Sequence, residues 1–309
     1  KLLHTIIQTL EHQIPFAQGA EVTIECNPED VTTELLEQYQ DMGINRISLG
    51  AQSFDNQSLK ALGRNHQTSH LDQSLAALDQ AKMNNWSMDL IFGHKGQHLE
   101  QWCETLQHAC RLSPTHISTY ELTVEPRTKL AKQVRDQKVV LPHEDVLAQM
   151  YEAGQKILIE NGYQPYEVSN ASQQGFASKH NLACWHGSAY WGLGVSAHSR
   201  AIKSGQYHRQ SNPHLFSSYM GIDMSAYEPS IETMSEATYF EERIFTGLRL
   251  FEGIEVDTWQ NIAQTLSESF EVQTQAMLDR GILEKQHGRI RIHRRHMLFA
   301  DQIARELLT

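Results

Sequence analysis

Cysteine is scarce: Cys26, Cys103, Cys110 and Cys184 are the only four in 309 residues, and none sits in a C-x-x-C pair. Cys103 and Cys110 share a helical pattern about 10.5 Å apart along the axis, at ~1.5 Å per residue. That exceeds the ~7 Å Cα separation a disulfide can span, so they read as reduced core residues of a cytosolic protein. Long apolar runs are missing too. No stretch approaches the ~18 uninterrupted apolar residues that suggest a membrane span, and no charged-then-apolar leader opens the chain. A soluble, cytoplasmic protein is the expectation. Positive charge is in deficit, with 26 Lys and Arg against 37 Asp and Glu for a formal net charge of −11. A field of that sign repels phosphate backbones and disfavours general nucleic-acid binding. The local exception is Arg289, Arg291, Arg294 and Arg295 with His293 and His296, which read as a solvated wing of a small C-terminal domain. Histidine is plentiful at 17, yet no H-E-x-x-H or H-x-x-x-H pair lies within a helical pattern, which argues against a helical metallohydrolase site. His4, His12, His66, His70, His108 and His143 read as surface or helix-face residues.

What is present is an ordinary folded composition, 40% hydrophobic and 20% charged. Short β-rich runs alternate with longer helical patterns through the first half. Residues 22–26 predict a strand ending at the turn Asn27-Pro28, and 46–50 a second, after a helix that stops near Gly43. Asp55 caps a short helix ending at Gly63, and Thr68 caps a longer one through Lys82. Strand 87–92, helix 99–112 and strand 116–122 follow. Strands separated by helices imply right-handed β-α-β units and a parallel sheet. Pro142 fits the first turn of a helix that Asn161-Gly162 closes, ahead of a strand at 163–168. The stretch 169–205, rich in Gly, Ser, Asn and His, is loop-like with short strands. From about Ser235 the pattern becomes helix, helix, a hairpin around Gly288 and a final helix to Leu308. The chain opens on Lys1-Leu2-Leu3-His4-Thr5-Ile6-Ile7, already helical in its apolar spacing, and is read as a fragment that starts inside an element.

In parallel α/β folds, ligands gather at the C-terminal ends of strands. Glu25, Gln52, Arg64 and Asp89 lie at or just beyond such ends. Carboxylates there can accept from ribose hydroxyls, and Arg64 can fork onto a carboxylate. Four such residues on successive strands point to a nucleotide-like ligand, although capping explains any one of them equally well. His180-Asn181-Leu182-Ala183-Cys184-Trp185 offers an imidazole and a thiol, either of which can ligate a heme iron. A loop hydrogen bond explains His180 and Asn181 as well, and burial explains Cys184. Residues 192–199 contain a superficial dinucleotide fingerprint, but no helical pattern follows, so that reading fails.

Glu25-Cys26-Asn27-Pro28, then 45–54, then Leu62-Gly63-Arg64-Asn65-His66, then 89–93 occur in an order and at intervals similar to the coproporphyrinogen-oxidase-like branch of the radical-SAM superfamily. The resemblance extends to the C-terminus, where Glu241, Gly247-Leu248-Arg249 and Gly281-Ile282-Leu283 look like the branch's last domain. It implies S-adenosylmethionine as the ligand of Glu25, Gln52, Arg64 and Asp89. The 180–185 segment resembles the H-N-x-x-Y-W motif of the branch's heme chaperones, with Cys184 in place of Tyr. That implies heme at His180, Asn181, Cys184 and Trp185, with His180 as the iron ligand. The glycine-rich 192–199 segment resembles another of the family's, where small residues let backbone approach a bulky ligand.

The expected fold class is therefore α/β. A partial parallel (β/α) radical-SAM barrel with its first strands missing spans 1–165, a heme-associated loop and strand region 166–232, and a small helical, winged-helix-like domain 233–309. The expected function is to bind heme and transfer it to an acceptor protein, as a homodimer, with neither nucleic acid nor membrane as partner. The alternative is an oxygen-independent coproporphyrinogen III oxidase-like oxidoreductase. Three departures from the family stand out. The C-x-x-x-C-x-x-C run whose thiolates hold the family's 4Fe–4S cluster is not in this sequence, so radical catalysis by this chain alone is not expected. His94-Lys95 stands where relatives carry Leu-Pro, losing a rigid turn, and Ile292-His293-Arg294-Arg295-His296 stands in place of an L-T-x-x-G segment. A chain without its upstream strands would also expose the edge of strand 22–26, which predicts poor expression until those strands are restored.

Overall fold

Strand alternation sets the architecture of the first of two compact units, Lys1–Ala177 and Ser178–Thr309. A computed structural model describes residues 1–203, 206–221, 230–266 and 268–309. The first unit runs α1 (Leu2–Gln13), β1 (Thr23–Cys26), α2 (Thr33–Asp41), β2 (Arg46–Gln52), α3 (Asn56–Ala61), α4 (Thr68–Gln80) and β3 (Trp86–Phe92). It continues with α5 (Leu99–Leu112), β4 (His116–Glu121), α6 (Lys129–Arg135), α7 (Glu144–Glu160), β5 (Gln164–Glu167) and β6 (Asn170–Ser172). These strands form one sheet in the order β1-β2-β3-β4-β6-β5. The first four are parallel, as the β-α-β alternation requires. In-register residues of parallel strands share a face. One face carries Ile47, Leu49, Ala51, Met88, Leu90 and Ile117, all fully buried. The opposite face carries Glu25, Ser48, Ser87, Asp89, His116 and Ser118. The sheet is thus apolar on one side and polar on the other.

Helix packing closes the apolar side. Trp102 of α5 is fully buried, and its indole N–H donates to the Met150 carbonyl of α7 at 3.0 Å. Gly154 permits this approach, since a Cβ there would stand 3.1 Å from Leu106 and 3.2 Å from the Trp102 indole nitrogen.

Three local expectations need correction. The expected strand at 163–168 forms as β5 but does not extend the parallel order: the chain turns back into β6, which pairs antiparallel with both β5 and β4. A hairpin needs only a tight turn, whereas another parallel strand needs a long crossover. Helix α4 is preceded by Gln67, not capped by Thr68, and the Gln67 N–H donates to His70 Nδ1 at 3.0 Å. Cys103 is only half-buried, while Cys110 is buried; both are free thiols.

The second unit contains α8 (Lys179–Trp185), β7 (His198–Lys203), β8 (Gln206–Ser211), α9 (Phe216–Met220), β9 (Ser230–Met234) and α10 (Glu236–Gly247). Then come β10 (Ile254–Glu255), α11 (Val256–Thr265), α12 (Glu268–Asp279), β11 (Leu283–Gln286), β12 (Arg289–Ile292) and α13 (Ala300–Leu307). Two antiparallel three-stranded sheets result, β7-β8-β9 and β10-β12-β11. The β11-β12 turn places His287 and Gly288 at φ 52° and 74°, the geometry of a two-residue hairpin that favours glycine. This wing is less freely solvated than its arginines suggest. Arg289 pairs with Glu252 and Glu255 at 3.2 and 2.9 Å, and Arg291 with Glu284 at 2.7 Å.

Candidate functional site

The polar face of the first sheet is a connected network. Asp89 of β3 accepts from Ser48 of β2 at 2.9 Å and from Ser118 of β4 at 2.6 Å. Ser87 and His116 Nδ1 lie 2.8 Å apart, and His116 Nε2 meets the Tyr166 hydroxyl at 2.9 Å. Burial pushes the Asp89 carboxyl upward, opposed by the Ser118 and Ser48 hydroxyls and reinforced by the charge of Glu25. Burial, with Arg46 acting in the same direction, pushes the His116 imidazole down to about 3. The network thus holds a carboxyl that resists ionisation beside an imidazole that stays neutral.

Three of the four residues expected to hold a nucleotide-like ligand lie on adjacent parallel strands. Glu25 is exposed on β1, in register with Ser48, which in turn bonds Asp89. Gln52 is buried at the end of β2 with φ 62°, a left-handed conformation at an irregularity in the β2-β3 register. Its side chain folds back over Gly50, where a Cβ would stand 3.0 Å from the amide nitrogen. Arg64 is exposed in the turn after α3.

His66 fixes that turn, a role the sequence reading missed in taking it for a surface residue. It is buried, with Nε2 3.2 Å from the Ala51 carbonyl of β2 and Nδ1 3.5 Å from Glu29. After β3, the segment that lacks Leu-Pro is held by other means. Gly93 has φ 81°, and its N–H donates to the Gln97 side chain at 2.6 Å. His94 is buried there with Nε2 lacking a hydrogen-bond partner.

In the second unit, α8 gathers the other expected residues. Ser178 caps it, accepting from the Asn181 N–H at 3.3 Å. One turn apart, His180 Nε2 and Cys184 Sγ approach to 3.8 Å. His180 is exposed and Cys184 half-buried, and burial pushes the Cys184 thiol up, opposed by Arg200. The imidazole is therefore the readier iron donor of the two. The Trp185 ring takes the Arg249 guanidinium at 4.9 Å, and its carbonyl accepts from Arg243 at 2.8 Å. Cys184 and Trp185 line a cavity of about 320 Å³ with Arg200, Arg209, Glu242 and Phe245. Among the described residues, no helix is long and apolar enough to cross a membrane.

The chain is similar to several known proteins. Residues 2–109 match the radical SAM superfamily, and residues 234–299 the HemN C-terminal domain. The chain is 33% identical over 259 residues to heme chaperone HemW of Lactococcus lactis, covering 84% of this chain and 67% of that protein. It is 35% identical over 198 residues to heme chaperone HemW of Escherichia coli, covering 64% and 51%. Among solved structures, coproporphyrinogen III oxidase (HemN) from Escherichia coli, a radical SAM enzyme, aligns with a TM-score of 0.76 at 18% identity, covering 99% of this chain and 74% of that one. At that identity the likeness speaks to fold alone. The chain spans about half to two thirds of the length of these curated relatives.

Proposed function

The chain belongs to the HemW-type heme chaperone family of the radical SAM superfamily, and from that premise we propose that it binds heme and passes it to an acceptor protein in the cytoplasm. The observation that carries the reading is the donor pair on α8. His180 and Cys184 stand one turn apart with donor atoms 3.8 Å from each other, and His180 is exposed. Neutral imidazole is a common axial ligand of heme iron, and an exposed ligand suits a carrier that must release its cargo. Asn181 and Trp185 complete the proposed heme contacts, within a heme-associated region at 166–232 that precedes the C-terminal domain at 233–309. A homodimer, the other expectation, is tested by light scattering against a chain mass of 35.3 kDa.

In the first unit, Glu25, Gln52, Arg64 and Asp89 are the proposed S-adenosylmethionine contacts. Glu25 and Gln52 stand near the carboxyl ends of β1 and β2 and Arg64 in the turn after α3, whereas Asp89 lies in the middle of β3 rather than at the strand end the sequence suggested. Together the two carboxyl groups, the amide and the guanidinium supply what an amino-acid head group and a ribose need. The 4Fe–4S cluster that the superfamily implies does not fit the residues described. Cys26, Cys103, Cys110 and Cys184 lie on β1, α5 and α8, and no group of three His, Cys, Asp or Glu among the described residues is arranged to hold a metal.

A hemin titration followed at the Soret band tests the reading, with the chain and its His180→Ala variant side by side. A saturable, red-shifted band that the variant weakens is the expected result. A folded chain that gives no band removes the heme function, and an unchanged variant removes His180 as the ligand.

A further inference from the structure

The β7-β8-β9 sheet uses its two faces differently. One face is closed by α10, where Tyr207 and Tyr239 stack with centroids 3.5 Å apart and Arg209 pairs with Glu242 at 2.7 Å. Alternation places Ala201, Lys203, His208, Gln210 and Ile231 on the other face. There a cavity of about 630 Å³ opens, walled also by Trp191, Leu193 and, from α9, Tyr219 and Met220. Among the described residues it shares none with the cavity beside α8, which lies against the opposite face.

His208 sits in this wall in a state suited to a metal. Its Nδ1 lies 3.2 Å from the Thr233 hydroxyl of β9, its partner in register. With Nδ1–H donating to that oxygen, the lone pair resides on Nε2, the arrangement that second-shell partners impose on metal-bound histidine. Ala201 faces His208 from β7, and a methyl group leaves the ring uncovered on that side. The rim is preformed. The Asn212 amide donates to the carbonyls of Gly192 and Gly194 at 3.2 and 2.8 Å, and the Gly194 N–H donates to the Tyr219 hydroxyl at 3.2 Å. Gly192 is required here by the chain itself, since a Cβ would stand 2.1 Å from the His198 carbonyl oxygen.

The lining selects among ligands. A nucleotide needs a phosphate cradle, and a bare metal ion needs three or more donors, which no cluster of the described residues supplies. Apolar and aromatic walls, one imidazole and one ammonium match an iron macrocycle edged with carboxylates. We propose that this cavity is a second porphyrin site, separate from the α8 donor pair, in which His208 Nε2 ligates the iron. Trp191 packs on the macrocycle, and Lys203 pairs with a propionate. The inference rests on the heme-carrier reading and gives the chain two heme stations on opposite faces of one sheet.

The test is a hemin titration of the whole chain, with His208→Gly and His180→Ala variants, read for stoichiometry and Soret position with and without added imidazole. Two equivalents are expected for the unaltered chain. His208→Gly should bind one of them at least about tenfold more weakly, and free imidazole should restore the lost band. Should His208→Gly misfold by circular dichroism, Ala201→Phe fills the same cavity while leaving His208 and Thr233 in place. Loss of all binding in His208→Gly alone would leave His208 as the ligand of a single site and overturn the two-station inference. Wild-type spectra and stoichiometry in both cavity variants overturn it, and if His180→Ala alone loses heme, the carrier reading survives. No binding by the folded, unaltered chain overturns both.

Discussion

Asp89 and His116 share one polar face yet respond to pH with opposite signs. The folded state holds the Asp89 proton more tightly than the unfolded chain does, because burial raises that carboxyl. Its contribution to stability is therefore fully present below the unfolded value near 3.8 and is lost as pH rises through the raised one. His116 is lowered from 6.5 to about 3. Below 6.5 the unfolded chain takes a proton that the buried ring refuses, so stability falls on acidification, by at most ~1.4 kcal/mol per pH unit. We expect His116→Gln to flatten the acid limb between pH 6.5 and 4 relative to the unaltered chain, and Asp89→Asn to gain on it as pH rises from 4. Urea midpoints across that range decide both; a constant difference between variant and parent would remove the residue concerned as a source of pH dependence. Asp89→Asn is also expected to weaken S-adenosylmethionine binding by calorimetry.

Elements were legible where punctuation and period agreed. β1 to β4 alternate apolar and polar positions between clear stops, and the helices between them fixed the parallel order. The β5-β6 hairpin was not legible, because 163–168 looks the same whether the chain turns back or crosses over. The β7-β9 sheet was read only as loop with short strands, since its Ser, His, Gln and Arg lack an apolar side. Its cavity arises only from register. His66 escaped for another reason: its partner is a backbone carbonyl fifteen residues earlier, and a carbonyl has no sequence signature. That bond makes His66 a positioning residue for the Arg64 turn. His66→Ala is expected to weaken S-adenosylmethionine binding about tenfold, or ~1.4 kcal/mol. His66→Gln, which can still donate to the Ala51 carbonyl, should recover part of it; equal calorimetric affinities for all three chains would sever the link. The turn after β3 is set by geometry instead. At Gly93 φ is 81° and a Cβ would meet Leu147 at 2.6 Å, so Gly93→Ala should lower stability by roughly 2 kcal/mol in denaturant unfolding.

At the scale of the whole molecule, the chain places its two proposed ligands in different compact units, and thermodynamic linkage makes that division measurable. A ligand that binds only the folded state stabilises what it binds by RT ln(1 + [L]/Kd), about 2.7 kcal/mol at a hundredfold excess over Kd. Amide hydrogen exchange resolves where that free energy appears, because sub-global openings report on local units. Hemin at saturation is expected to slow exchange in α8 and in β7 to β9, leaving β1 to β4 as they were. S-adenosylmethionine is expected to slow β1 to β4 and the Arg64 turn, leaving β7 to β9 as they were. If both ligands protect the same segments, they share a site and the division between units fails. If hemin protects α8 but not β7 to β9, the heme sits with His180 and the His208 cavity is not a station on its route. Protection of β7 to β9 that persists in His180→Ala would separate the two heme positions within one unit, since removing the α8 ligand would leave the sheet's own cavity still closed by its cargo.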